Sequence, residues 1–109
     1  MDKHLFYEGK SIVSVEWWIS YGSEFPELYW ARLRVFSDGS SDAAFDEFTA
    51  YGFDTREYAS YFLSSDEYIS FNSVDEQDEI DIGAKKSQMS IPVWSDDQTK
   101  VEFEYLGTY

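Results

Sequence analysis

Five carboxylates crowd into seven positions at Asp75, Glu76, Asp78, Glu79 and Asp81, and the pair Asp66-Glu67 lies a little upstream. Two kinds of chemistry use acids at that density. A hard cation takes several carboxylate oxygens at once, and a row of carboxylates can imitate a nucleic-acid backbone towards a basic protein. The first does not fit the spacing. Neither this run nor Asp38-Gly39-Ser40-Ser41-Asp42 places acids and glycine as a calcium loop requires. No metal or other cofactor is therefore expected. The second use remains, and it selects Asp66, Glu67, Asp75, Glu76, Asp78, Glu79 and Asp81 as candidate partner-binding residues.

Other reactive groups are scarce. The one histidine is His4, and there is no cysteine. A Ser-His-Asp arrangement needs its imidazole held against the serine, and a position so near the start of the chain is a poor place to hold one. Thiolate nucleophiles and cysteine-ligated zinc are excluded. Acid–base catalysis by two carboxylates needs them in contrasting environments; among 22 acids pairs arise by chance. Glu16, between Val15 and Trp17, is expected to pair across strands with Arg32 or Arg34. No catalytic residue is assigned, and the chain is expected not to be an enzyme.

A second group has the side-chain types of a protein interface. Trp18, Trp30, Arg32, Arg34 and Phe36 alternate with small or aliphatic residues, and Trp, Phe and Arg are enriched where proteins meet. If a helix covers the opposite face of the sheet, these side chains would present an aromatic surface for self-association, as in a homodimer or structural assembly.

Those residues need elements to hold them. A chain of 109 residues with 20% aromatics makes one domain, 1–109, with enough ring packing for a core. From Ser11 to Tyr21 apolar and polar residues alternate as in a half-buried strand, and Leu28–Ser37 repeats the pattern. Asp38-Gly39 marks a hairpin turn, and 42–49 is the return strand, broken at Tyr51-Gly52. Asp54 with Glu57 reads as a capping box that starts a helix over 54–64. Residues 67–72 are expected to form a short strand, 75–81 a solvated loop, Ile80 and Ile82 the start of an edge strand. Met89, Ile91 and Val93 then suggest a strand confined by Pro92, and 100–106 a last one with Val101, Phe103 and Tyr105 inward. The expected architecture is α+β: an antiparallel sheet of five to six strands with one main helix on one face.

The net charge of −14 completes the reading. It disfavours direct contact with nucleic acid or an anionic membrane and favours fast, salt-sensitive encounter with a basic protein. No stretch approaches the ~20 apolar residues of a membrane span or the apolar core of a signal peptide, so a cytoplasmic setting is expected. The expected role is a small acidic binding or inhibitor protein that occludes a basic partner, as an immunity protein covers a nuclease toxin or a nucleic-acid mimic covers a nucleic-acid-binding protein.

Overall fold

Alternating β-branched and aromatic residues form six strands, joined into one sheet in the order β5-β1-β2-β3-β4-β6. The computed structural model describes residues 1–98 and 101–109. Its elements are helix α1 (Lys3–Tyr7), β1 (Ile12–Ser20), β2 (Trp30–Phe36), β3 (Ser41–Asp46), β4 (Thr49–Phe53), helix α2 (Arg56–Ser65), β5 (Tyr68–Ser70), helix α3 (Glu76–Ile82) and β6 (Glu102–Gly107). Every pairing is antiparallel except β4 with β6. The fold is thus α+β with a mostly antiparallel sheet, as the patterning predicts, and α2 is its longest helix.

The Asp38-Gly39 turn forms as expected: Gly39 takes φ 88°, and the Asp38 carboxylate accepts the Ser40 N–H at 3.0 Å. Beyond it the chain turns once more than the sequence suggests. Strand β3 ends at Asp46, and Gly52 lies inside β4 instead of ending a strand. The reason is packing. A Cβ on Gly52 would come within 2.4 Å of the Phe103 ring and 2.9 Å of the Phe6 ring, so glycine here admits two aromatic side chains against the backbone.

The helix cap also shifts by one residue. Thr55, not Asp54, caps α2, accepting the Tyr58 N–H. Asp54 is still held by the sheet: its N–H donates to Gly107 at 2.8 Å and its carboxylate accepts the Tyr105 hydroxyl. The strand expected over 67–72 is shortened to β5, followed by a 3-10 turn at Phe71–Ser73. No strand forms at Met89, Ile91 and Val93. Pro92 lacks a donor for a ladder, Met89 points inward, and Val93 is almost wholly exposed. Lys100, the first residue of the last predicted strand, lies outside the described residues; β6 runs from Glu102.

Both faces of the sheet are covered. On one, Ala59 and Leu63 of α2 pack on Trp18, Ala31, Leu33, Ala43 and Phe53. Alanines at the centre let the helix sit close. On the other, Ile19 and Trp30 lie under Val74, Ile82, Ala84 and Met89, while Phe6 of α1 packs against Phe36 and Phe103. This second layer corrects the proposed aromatic interface: Trp30, Arg32, Arg34 and Phe36 are all buried within the chain. Trp18 is buried too, on the opposite face. The register pairs Trp17 with Arg32 and Trp18 with Ala31, and a change of one residue moves a side chain through the sheet.

Strand register also produces the most deeply buried ion pair. Arg34 and Asp42 are direct cross-strand partners, and both are essentially inaccessible. The guanidinium donates from Nε to Asp42 Oδ1 at 3.0 Å and from a terminal nitrogen to Oδ2 at 2.5 Å, and the Tyr7 hydroxyl donates to the same Oδ2 at 2.6 Å. Asp96 accepts from both Arg32 and Arg34 at 3.4 Å. Burial alone would lower the Arg34 pKa, but the hydrogen bonds and charge of Asp42 outweigh it and hold the guanidinium above its ordinary value. Glu16 therefore does not pair with Arg32 or Arg34. It lies on the α2 face and accepts two hydrogen bonds from Arg56, at 2.5 and 2.7 Å.

Breaking this network is costly. Asp42→Ala leaves Arg34 charged and unpaired in the interior and is expected to lower stability by about 3–5 kcal/mol; the joint change Arg34→Met with Asp42→Leu should lose less, as read from urea denaturation midpoints. Tyr7 gives a pH signature. Burial, then the neighbouring Asp42 charge, push its hydroxyl far above the ordinary tyrosine value. Its contribution is complete below about pH 10 and falls as pH rises beyond that, because the unfolded chain ionises first. Stability measured between neutral and strongly alkaline pH should fall less steeply in Tyr7→Phe.

Candidate protein-binding surface

The link between β1 and β2, residues 21–29, contains Gly22 and Pro26 and cannot continue either strand. It is nevertheless well fixed. Buried Ser23 accepts the Tyr29 N–H at 3.0 Å, and Glu24 and Glu27 exchange backbone hydrogen bonds at 3.1 and 2.7 Å. Two further bonds tie the loop to distant parts of the chain. The Tyr21 N–H donates to the Glu67 carbonyl at 3.0 Å, and the Phe25 N–H donates to the Ile82 carbonyl at 2.9 Å. The loop is thus wedged between the start of β5 and the end of α3.

This arrangement gathers the sequence-predicted acids at one end of the molecule. Asp66 and Glu67 flank the loop on the β5 side, and the α3 acids lie towards Ile82. Glu24 and Glu27, which sequence reasoning passed over, sit in the loop itself and are exposed. The loop 21–29 and residues 66–82, which meet at this end, contain nine carboxylates and no lysine, arginine or histidine. Lys85 and Lys86 border it; the Lys86 ammonium lies over the Phe71 ring, 5.1 Å from its centroid. Between the carboxylates stand aromatic side chains. Tyr21, Phe25 and Tyr29 are 52%, 43% and 53% exposed. Tyr68 lies beside them: burial first, then Asp66 and Tyr29, raise its hydroxyl pKa.

Individual acids here have unequal duties. The 75–81 run is a helix, not a solvated loop or an edge strand. Asp75 and Asp78 form a reciprocal capping box, each side chain accepting the other's N–H at 3.0 Å, and the Asp78 N–H is the main reason that the Asp75 carboxyl is held below its usual value. Ile82 anchors the helix in the core, and Gly83 ends it at φ 89°. Glu79 accepts the Lys86 N–H at 2.5 Å, and Asp81 accepts from Gln77 at 3.1 Å. The side chains of Asp66 and Glu76 accept no hydrogen bond among the described residues. Glu76, Glu79, Ile80 and Gly83 line a shallow groove of about 480 Å³ that runs to Lys85 and Gln88, and Ile80 is 73% exposed at its edge.

Glu67 is unusual in another respect. It follows the C-cap of α2 with φ 64°, the left-handed conformation that normally falls to glycine or asparagine. The conformation has a structural role: it ends α2, with the Glu67 N–H donating to the Ser64 carbonyl at 3.1 Å, and it turns the Glu67 carbonyl towards the Tyr21 N–H.

At the far end of the sheet, His4 is exposed on α1 beside an open cleft of about 400 Å³ lined also by Lys3, Tyr7, Glu8 and Gln98. Among the described residues, no three histidine, aspartate or glutamate side chains converge as a metal ion would require, and no helix is long and apolar enough to cross a membrane. The chain matches no protein-family model, no curated protein and no solved structure.

Tyr21, Phe25 and Tyr29 did carry a sequence signal. Three large rings in a segment punctuated by glycine and proline, with no cationic residue from Trp17 to Ala31, are poor core material and good contact material. The unequal duties of the acids lead to a direct test. Asp75→Ala should lower the thermal midpoint measured by circular dichroism, because the Asp78 N–H at the helix end loses its acceptor. Glu76→Gln should leave that midpoint unchanged.

Proposed function

We propose that the chain is a non-catalytic cytoplasmic binding protein that occludes a basic protein partner through its acidic end, in the manner of an immunity protein against a nuclease toxin or a nucleic-acid mimic against a nucleic-acid-binding protein. One observation carries this reading: nine carboxylates, with Lys85 and Lys86 only at their border, share one end of the molecule with three exposed aromatic rings on a pinned loop. Each part has a separate physical role. The carboxylates accelerate encounter with a basic surface and make it salt-dependent. Tyr21, Phe25 and Tyr29 supply rigid contact area and ring faces for lysine or arginine. The same charge repels nucleic acid itself, so the fit is to a protein that binds phosphates.

The test starts from capture on the immobilised full-length chain at low salt, followed by calorimetry on the purified partner. Affinity should fall steeply with added salt. Tyr29→Ala should cost about 2 kcal/mol of binding, the scale of an interface hot spot. The combined variant Glu24→Gln, Glu27→Gln, Asp66→Asn, Glu76→Gln avoids the capping acids, so it should stay folded and bind at least ~10-fold more weakly, with a flatter salt dependence. If that variant binds undiminished, the partner does not use this surface. Glu67→Gly separates charge from conformation. Glycine accepts φ > 0 without a Cβ clash, so the variant should fold as stably as the parent yet bind less tightly.

A further inference from the structure

Strand β2 places Arg32 and Arg34 two residues apart, so both side chains leave the same face of the sheet. Their partners on β3 differ. Arg34 faces Asp42, but Arg32 faces Ala44, which brings no charge. Both Asp42 oxygens are taken by Arg34, and one of them also by Tyr7. Arg32 is therefore a cation, 3% exposed, without a buried carboxylate of its own. Its Nη1 donates to the Ser95 carbonyl at 3.1 Å and to Asp96 Oδ1 at 3.4 Å, and its Nε meets no acceptor among the described residues. A guanidinium carries five donors, and a buried one left partly unsatisfied calls for a reason. Burial, then Arg34, pull the Arg32 pKa below the ordinary arginine value. Asp96 meets this demand poorly. A single oxygen serves both arginines, at 3.4 Å from each, where a charge-assisted bond closes to about 2.7–2.9 Å. Its side chain is 63% exposed, and it rides on an irregular segment whose Ser95 N–H is tied to Glu47 at 3.1 Å. The Trp94 ring of that segment lies 5.6 Å from the Arg32 guanidinium carbon.

We propose that Arg32 and Arg34 form a site for the carboxylate group of a small molecule, and that Asp96 occupies this site in the free chain. Charge sets the class of ligand. Two arginines and the buried Asp42 leave one positive charge over, so a singly charged group restores neutrality and a doubly charged phosphate would overshoot. Shape agrees with charge. A planar carboxylate can give one oxygen to Arg32 Nη1 and the other to Arg34 Nη1, the two nitrogens that share Asp96 Oδ1 here. A separate molecule is not tethered to the backbone, so it can close on both. Lys3, His4 and Lys10 lie on or just after α1, which packs on this face, so an anion meets less repulsion here than at the acidic end. A carboxylate that takes this place releases Asp96 and the segment that carries Trp94 and Ser95. Ligand and segment thus compete for the same two guanidinia.

The test is to follow the Nε–Hε resonances of Arg32 and Arg34 by NMR while formate is added to the full chain, with chloride at matched ionic strength as the control. In Asp96→Ala, formate should shift both resonances saturably and raise the melting temperature, and chloride should do neither. The parent chain should show the same shifts with an apparent affinity at least ~10-fold weaker, because Asp96 holds the competing state. Asp96→Asn keeps the shape of the side chain without its charge and takes over if the alanine variant does not fold. Adding Arg32→Met to Asp96→Ala removes the second buried cation and should abolish the formate effect. Formate and chloride acting alike overturn the proposal. So does equal affinity in parent and variant, or a formate effect that survives Arg32→Met. Should neither Asp96 variant fold, the parent titration decides: no saturable shift at Arg32 overturns the site.

Discussion

The Arg34–Asp42 pair is the constraint on which the rest of the structure depends. Two ions removed from water cost several kcal/mol each, and only close, multiple hydrogen bonding repays that. Here the geometry exists only if β2 and β3 pair in the observed register. The same carboxylate holds Tyr7, so α1 is seated by the pair, and Arg34 with Arg32 reaches Asp96, so the irregular segment after Trp94 is drawn over it. An apolar cluster would be content with several registers; a bidentate salt bridge tolerates one. In this fold the pair ties the β2–β3 register to the seating of α1 and of the segment after Trp94.

A second consequence concerns the opposite end. With the β2–β3 hairpin fixed and both sheet faces covered, the β1–β2 loop has one place to go, between Glu67 and Ile82. Its two anchoring bonds use backbone groups, and the packing beneath it is apolar, with Ile19 and Trp30 against Ile82 and Ala84. The scaffold of the acidic end thus owes little to acids. Asp75 and Asp78 are the exceptions, because they cap α3.

How much of this was legible in the residues follows from the range of each interaction. The strands β1 and β2, the Asp38-Gly39 hairpin and helix α2 are written in local periodicity and turn chemistry, and they appear where expected. The α3 helix was missed because five acids in seven positions look like solvated loop, while its capping box and its inward Ile82 are short-range signals that charge density obscures. The face of Trp18 was misjudged for a different reason. Alternation assigns faces within one strand, but the match between β1 and β2 is set across a loop of nine residues, and no local rule counts through such a loop. Arg32 and Arg34 looked like surface residues because arginine is seldom buried unpaired; their partners, Asp42 and Asp96, could not be chosen from among 22 acids by inspection. Gly52 read as a strand breaker because the rings of Phe6 and Phe103, which require it, come from the two ends of the chain.

The separation between scaffold and charge explains how the chain keeps so many like charges together. Carboxylates at one end repel one another, and that repulsion lowers stability unless salt screens it. A fold braced at that end by its own ion pairs would loosen as salt rose or as the acids were protonated. This one is braced there by backbone hydrogen bonds and buried aliphatic and aromatic groups, while its deepest ion pair lies elsewhere in the sheet, shielded from solvent. The charge of the acidic end can therefore be screened by salt with little change in the structure that displays it. For a surface whose physical use is electrostatic attraction, that independence lets binding strength follow ionic conditions while shape does not.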